Sequence, residues 1–171
     1  LYVVPSANME MIWVDSGSFM MGSPESEEFR ENNENYREVE IPNGFYMGKY
    51  EVTVSQYNVI FDTIWNDSIP ESNVEENNLP ITDFILNAFI DRLNELEKES
   101  GNLPNNWEYS LPSEKEWEYC CRAGTQIPFS WGDYLISYDA YSQGIKANGN
   151  SWEIKVVGQY PPNPWGFYDM H

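Results

Sequence analysis

Leu111-Pro112-Ser113-Glu114-Lys115-Glu116-Trp117-Glu118-Tyr119-Cys120-Cys121-Arg122-Ala123-Gly124 is the stretch from which the fold class is read. Ser113 offers an N-cap hydroxyl, and Glu116, three residues on, stands where a side chain can return to the Ser113 backbone N–H. Arg122 falls in the last turn, where a cation suits the carbonyl end of a helix, and Gly124 can adopt the left-handed conformation that ends one. The spacing predicts a helix over 113–122 with Trp117 turned inward. Glu114, Glu116 and Glu118 invite a general-acid reading. The cap accounts for Glu116, however, and the positive end of the helix dipole accounts for the other two.

Outward from this helix the same signals recur more weakly. Ile85, Ala88, Phe89, Leu93 and Leu96 follow helical spacing, which predicts a helix from near Thr82 to Ser100-Gly101 with a charged opposite face. Thr53 and Gln56 form a second capping box, starting a helix that runs to about Phe61. Before it, Val39-Glu40-Ile41 and the run from Phe45 to Val52 read as strands separated by the turn Pro42-Asn43-Gly44. Met11-Ile12-Trp13-Val14 and Phe19-Met20-Met21, flanking Asp15-Ser16-Gly17-Ser18, predict a hairpin. The stretch between Glu25 and Glu40 is a solvated acidic loop, and beyond Gly124 the chain reads as loops and short strands. Three short helices among strands give an α+β domain.

Composition bounds the function. With 171 residues the chain suits one domain with a core of its own. A net charge of -19 repels phosphate backbones and anionic lipid, which argues against nucleic acid and membrane insertion and favours cations or basic partners. No apolar run approaches the ~20 residues of a membrane span and none reads as a signal peptide, so the chain is expected to be soluble, with export left open. Aromatic residues make up 16% of the sequence, and Trp13, Phe45, Tyr46, Trp117 and Trp165 are expected to share one core.

Candidate chemistry is sparse. His171 is the only histidine, so no Ser-His-Asp, Cys-His or multi-histidine metal site can be assembled. Cys120 and Cys121 are adjacent, which disfavours a bond between them and does not match metal-binding spacing. No glycine-rich phosphate loop occurs. Asp133, Asp139, Asn148 and Asn150 place hard oxygen donors in one loop, where they either hold calcium or cap the loop's own backbone.

Four pieces in order carry a family resemblance: Phe19–Ser23, Phe45–Thr53, Leu111–Tyr119 and Pro162–His171, the last reading Pro162-Asn163-Pro164-Trp165-Gly166-Phe167-Tyr168-Asp169-Met170-His171. Together the sequence resembles the formylglycine-generating enzyme, or sulfatase-modifying factor, family. The resemblance implies a variant of the C-type-lectin-like fold, with little regular secondary structure and an aromatic-rich core. It also implies structural calcium, and copper- and oxygen-dependent oxidation of a sulfatase cysteine to formylglycine. By the same resemblance Ser113, Glu116, Trp117, Arg122, Asn163, Gly166 and Asp169 are structural motif positions. The family continues past His171 with Gly-Asn-Val-Trp-Glu-Trp and a long stretch holding the copper-binding cysteine pair. Residues 1–171 are therefore expected to form one domain incomplete at its C-terminus, with 1–8 as a flanking segment. Ser110 stands where the family has Arg, and Thr82-Asp83-Phe84 where it has Val-Ser-Trp. The expected partner is a sulfatase or another polypeptide substrate. Two alternatives stand beside the oxidase: a non-catalytic, lectin-like recognition module, and the companion domain of a sulfoxide-synthase-type iron enzyme.

Overall fold

In a computed structural model the chain is described over residues 1–27, 30–61, 77–81, 85–127 and 154–170. Strands β1 (Tyr2–Val4), β2 (Met9–Val14) and β5 (Phe45–Gly48) form an antiparallel sheet in the order β1-β2-β5. Strands β3 (Gly17–Met21) and β4 (Arg37–Ile41) make a separate two-stranded sheet. Helices α1 (Val54–Phe61), α2 (Leu86–Glu99) and α3 (Glu114–Arg122) complete an α+β architecture.

The predicted hairpin between β2 and β3 does not form. Both edges of β2 are taken, by β1 on one side and by β5 on the other, so β3 pairs with β4 instead, Phe19 opposite Val39. Nor do β4 and β5 pair across Pro42-Asn43-Gly44: the turn carries the chain from one sheet to the other. Gly44 is required there, because a Cβ would come 2.3 Å from the Trp13 indole. Residues 1–8 are not a flank. β1 pairs with β2, and Val4 and Ala7 are buried in the core.

Two clusters hold the domain together. In the first, Val4, Met9 and Met11 from the three-stranded sheet and Ala7 from its β1–β2 turn meet Ile60 of α1 and Phe89 and Leu93 of α2. In the second, Val14 and Ile41 meet Tyr119 and Cys120 of α3 and Phe167. The single aromatic core expected from sequence is thereby corrected, because Trp13 and Tyr46 lie outside both clusters, 43% and 37% exposed. They are cross-strand neighbours on β2 and β5, and their rings pack edge-to-face at 5.0 Å. Among the described residues Tyr2 and Trp107 pack beside this pair, the Tyr2 ring centroid 5.4 Å from that of Tyr46 and the Trp107 ring centroid 6.3 Å from that of Trp13 and 6.0 Å from that of Tyr46.

The helix starts follow their sequence signals. The Thr53 N–H donates to Gln56 Oε1 at 3.0 Å and the Gln56 N–H to Thr53 Oγ1 at 3.3 Å, a reciprocal cap for α1. At α3 the Ser113 N–H donates to Glu116 Oε2 at 2.8 Å, the Ser113 side chain faces the Glu116 backbone N–H, and its hydroxyl also donates to the Glu116 carboxylate. The helix ends on Ala123 in the left-handed conformation, φ 46°, one residue before Gly124. Residues 82–84, where α2 was expected to begin, lie outside the described residues. On α2 the charged face is interrupted by Glu97, which is 0% exposed and accepts the Ser6 N–H at 2.9 Å. A carboxylate one position beyond Leu96 thus anchors the N-terminal strand to the helix.

Candidate functional site

Between the three-stranded sheet, α2, α3 and the segment 154–170 runs a groove of about 1540 Å³. Its apolar lining comes from both clusters, Met9, Met11 and Phe89 from the first and Phe45, Met47 and Phe167 from the second. Leu111, Trp107 and Trp117 stand along its rim, each more than two-fifths exposed. This corrects the expectation for Trp117. It shares a helical face with the buried Cys120 and Cys121, but it lies one turn earlier, where that face passes from the core to the groove.

Trp107 was not singled out from the sequence, although an isolated Trp in the polar run Asn105-Asn106-Trp107-Glu108 is itself a signal. Asn94 of α2 holds its loop. The Asn94 Oδ1 accepts the Tyr109 N–H at 2.9 Å, while its Nδ2 donates to the Tyr109 carbonyl at 2.8 Å and to the Ile90 carbonyl at 3.0 Å. One helix side chain thus satisfies both backbone groups of a loop residue and fixes the rim to the scaffold.

The groove is acidic. Glu51, Glu108, Glu116 and Asp169 line it against Lys155 among the described residues. Glu51 still reaches solvent, yet the groove walls strip enough water to raise its carboxyl above the ordinary range, and the charge of Asp169 raises it further. Asp169 is likewise raised by desolvation, which the Gly158 N–H, donating to its Oδ2 at 2.6 Å, partly opposes. Lys49 supplies no counter-charge to this wall. Its Nζ is bound to Glu10 Oε2 at 2.7 Å and lies over the Tyr50 and Tyr168 rings, and the Glu10 hydrogen bond holds its ammonium form well above the ordinary lysine range.

The remaining motif positions shape the groove's far wall. The Asn163 Nδ2 donates to the carbonyls of Cys120 at 2.7 Å and Cys121 at 3.2 Å, and its Oδ1 accepts the N–H groups of Trp165 at 3.0 Å and Phe167 at 3.1 Å. Every hydrogen-bonding site of that side chain amide is engaged, so the 163–167 turn is stapled to the end of α3. Gly166, at φ +91°, allows the turn to close, its N–H donating to the Asn163 carbonyl at 2.9 Å. On the opposite flank Arg122 Nε donates to Glu118 Oε1 at 2.7 Å and its NH2 to the Gly22 carbonyl at 2.8 Å, while Glu118 Oε1 accepts the Gly22 N–H at 2.8 Å. This fork pins α3 to the end of β3.

Cys120 and Cys121 are buried thiols outside any disulfide, and neither lines the groove. Burial pushes the Cys120 thiol up to about 12, with Glu116 adding to it. It pushes Cys121 to about 11, although Arg122 opposes the shift, and the Cys121 Sγ donates to the Met170 carbonyl at 3.2 Å. Copper takes thiolates, and these are un-ionised thiols facing protein, so the pair does not fit the metal. Asp133, Asp139, Asn148, Asn150 and His171 lie outside the described residues. Among the described residues no group of three or more His, Cys, Asp or Glu side chains could hold a metal, and no helix is long and apolar enough to cross a membrane.

Comparison with known proteins agrees with this architecture. The formylglycine-generating enzyme of Mycobacterium tuberculosis is 31% identical over 75 residues, an alignment covering 35% of this chain and 23% of that enzyme's length. Among solved structures, PvdO from Pseudomonas aeruginosa superposes with a TM-score of 0.74 at 24% identity, covering 99% of this chain and 70% of its own. Treponema denticola variable protein 1 gives 0.70 at 17% identity, covering 98% and 71%, and CarF gives 0.59 at 19% identity, covering 95% and 76%. At those identities the structures show a shared fold. The family described as sulfatase-modifying factor enzyme 1-like domain matches residues 4–171, and the chain belongs to it.

Proposed function

We propose that this domain receives a polypeptide at the acidic groove, and that the whole protein oxidises a cysteine of a sulfatase-type polypeptide to formylglycine with copper and oxygen. The observation that carries the reading is the groove itself: an apolar lining, aromatic and aliphatic side chains on the rim, and carboxylates in its walls. Such a surface suits an extended polypeptide with a basic residue better than an anionic ligand. Family membership supports the chemistry. The thiolates that chemistry requires are other than Cys120 and Cys121, so the share of this chain is to hold and orient the polypeptide. The test is to incubate the intact gene product with copper(I), oxygen and a peptide bearing the sulfatase-type cysteine motif, reading the aldehyde by mass spectrometry and binding by anisotropy with a Cys-to-Ser peptide. Aldehyde that persists in both Cys120→Ser and Cys121→Ser is the expected result. Turnover lost with either substitution in a folded protein, or no binding at all, sinks the proposal.

A second reading, recognition without chemistry, is favoured by the exposed rings of Trp13, Tyr46 and Trp107. Binding by the intact protein without any aldehyde would put it first.

A further inference from the structure

Trp13 and Tyr46 lie opposite each other on β2 and β5, Trp107 packs beside both, and Tyr2 packs beside Tyr46. Trp13, Tyr46 and Trp107 are each more than a third exposed. Three large rings gathered on a sheet and left open to water mark a binding surface rather than a core. The surface is held in place. Gly44 leaves the space that the Trp13 indole fills, and Asn94 fixes the Trp107 loop through both backbone groups of Tyr109. Tyr2, Tyr46 and Trp107 also line the groove, so Trp13 carries the aromatic surface past the groove's end.

Electrostatics say what this surface takes. The Trp13 Nε1–H donates to Asp15 Oδ1 at 2.7 Å. That bond to an anion enriches the indole π-system and sets a carboxylate at the edge of the ring. Asp15 is exposed, and Glu108, the residue after Trp107, lines the groove. Among the described residues no lysine or arginine lies over Trp13, Tyr46 or Trp107; the cation that does lie over rings is Lys49, above Tyr50 and Tyr168. A net charge of -19 repels a second copy of the chain and draws a basic partner. The centroids of the three rings are 5.0, 6.0 and 6.3 Å apart, so the rings touch and no cation can be boxed between them. A cation must lie on the outside of the cluster, a position that suits a flat guanidinium better than a rounded ammonium. We propose that the Trp13, Tyr46 and Trp107 surface docks an arginine of the polypeptide partner, the guanidinium stacking on the rings and bonding to the Asp15 carboxylate. The site builds on the reading of the groove as a polypeptide site and adds a second point of attachment at its end. The partner therefore carries an arginine beyond the segment that fills the groove.

The indole N–H signals of the intact gene product, prepared with isotope-labelled tryptophan, test the proposal. Three probes are titrated: acetyl-Gly-Arg-Gly-amide, the same peptide with citrulline in place of arginine, and tetramethylammonium chloride. Citrulline keeps the planar shape and loses the charge. The arginine peptide is expected to shift the Trp13 and Trp107 signals together, with one affinity about tenfold tighter than that of the citrulline peptide. Asp15→Asn keeps an acceptor for the indole N–H and removes the charge, and Asp15 lies outside both clusters, so the variant keeps the fold. It is expected to weaken the arginine peptide about threefold and to leave the citrulline peptide as it was. Equal binding of the arginine and citrulline peptides overturns the proposal, as does tetramethylammonium binding as tightly as arginine, an Asp15→Asn protein that binds as the parent does, or shifts confined to Trp117 in the groove. No shift at any tryptophan overturns it too. Loss of aldehyde formation with these shifts intact would sink the oxidation alone, whereas unmoved Trp13 and Trp107 signals beside a peptide bound in the groove would sink this site alone.

Discussion

The two clusters are built by different means. Around Phe167 the packing is fixed by polar side chains: Asn163 engages four backbone groups, the Glu118–Arg122 fork holds Gly22, and Cys121 bonds Met170. Around Phe89 and Leu93 the packing is mainly apolar, with methionines from β2 facing helices and Glu97 as the buried polar anchor, and the groove lies against one side. Hydrogen bonds of stated geometry leave one arrangement of α3 and the 163–167 turn, whereas a methionine-lined seam can repack. The difference teaches that the half carrying the motif residues is locked, while the methionine-lined half is adaptable, and the groove borders both.

The sharpest test of that contrast is Asn163→Ala. It strips two buried carbonyls and two N–H groups of their partner at once, and the expected loss is about 4 kcal/mol in denaturant unfolding. On the other side Leu93→Ala is expected to cost about 3 kcal/mol, because the seam and the groove allow partial collapse around the cavity. A larger loss for Leu93→Ala than for Asn163→Ala would break the comparison.

The locked half is also expected to weaken in alkali. Cys120 and Cys121 titrate in the fold near about 12 and about 11, against 9.0 for an ordinary thiol. Below pH 9 both states are protonated and the full stability is present. Above it the unfolded chain loses protons first, so stability falls as the pH climbs through 9 towards the folded values. A urea midpoint followed from pH 8 to 10.5 should drop, and the drop should shrink in Cys120→Ala. A flat profile would mean that the thiols are not buried as described.

Smaller effects sharpen the boundary between the halves. Ser113→Ala removes one side of the α3 cap and is expected to cost about 1 kcal/mol, read as a shift of the denaturant midpoint at constant slope. Trp107→Ala is expected to change stability by less than about 1 kcal/mol, since the ring is 43% exposed, while weakening peptide binding at the groove. A large stability loss there would place Trp107 in the core of the open half.

The sequence by itself determined the local parts of this protein. Ser113 with Glu116 and Thr53 with Gln56 cap helices because each pair is three residues apart, within reach before any tertiary contact exists. Gly166, and the left-handed end of α3 just before Gly124, follow from equally short-range sterics. The α+β class and the family were legible in the same way, from elements and motifs in order. Which strands pair was not legible, since Trp13 and Tyr46, or Phe19 and Val39, meet only after a loop has closed, and hydrophobic pattern alone fits several partners. Nor was the burial of Glu97, which depends on the Ser6 N–H 91 residues away, or the exposure of Trp117, whose helical face looks apolar in either setting. Those outcomes belong to the tertiary structure, because only the assembled sheets and helices decide whether a given face meets protein or water.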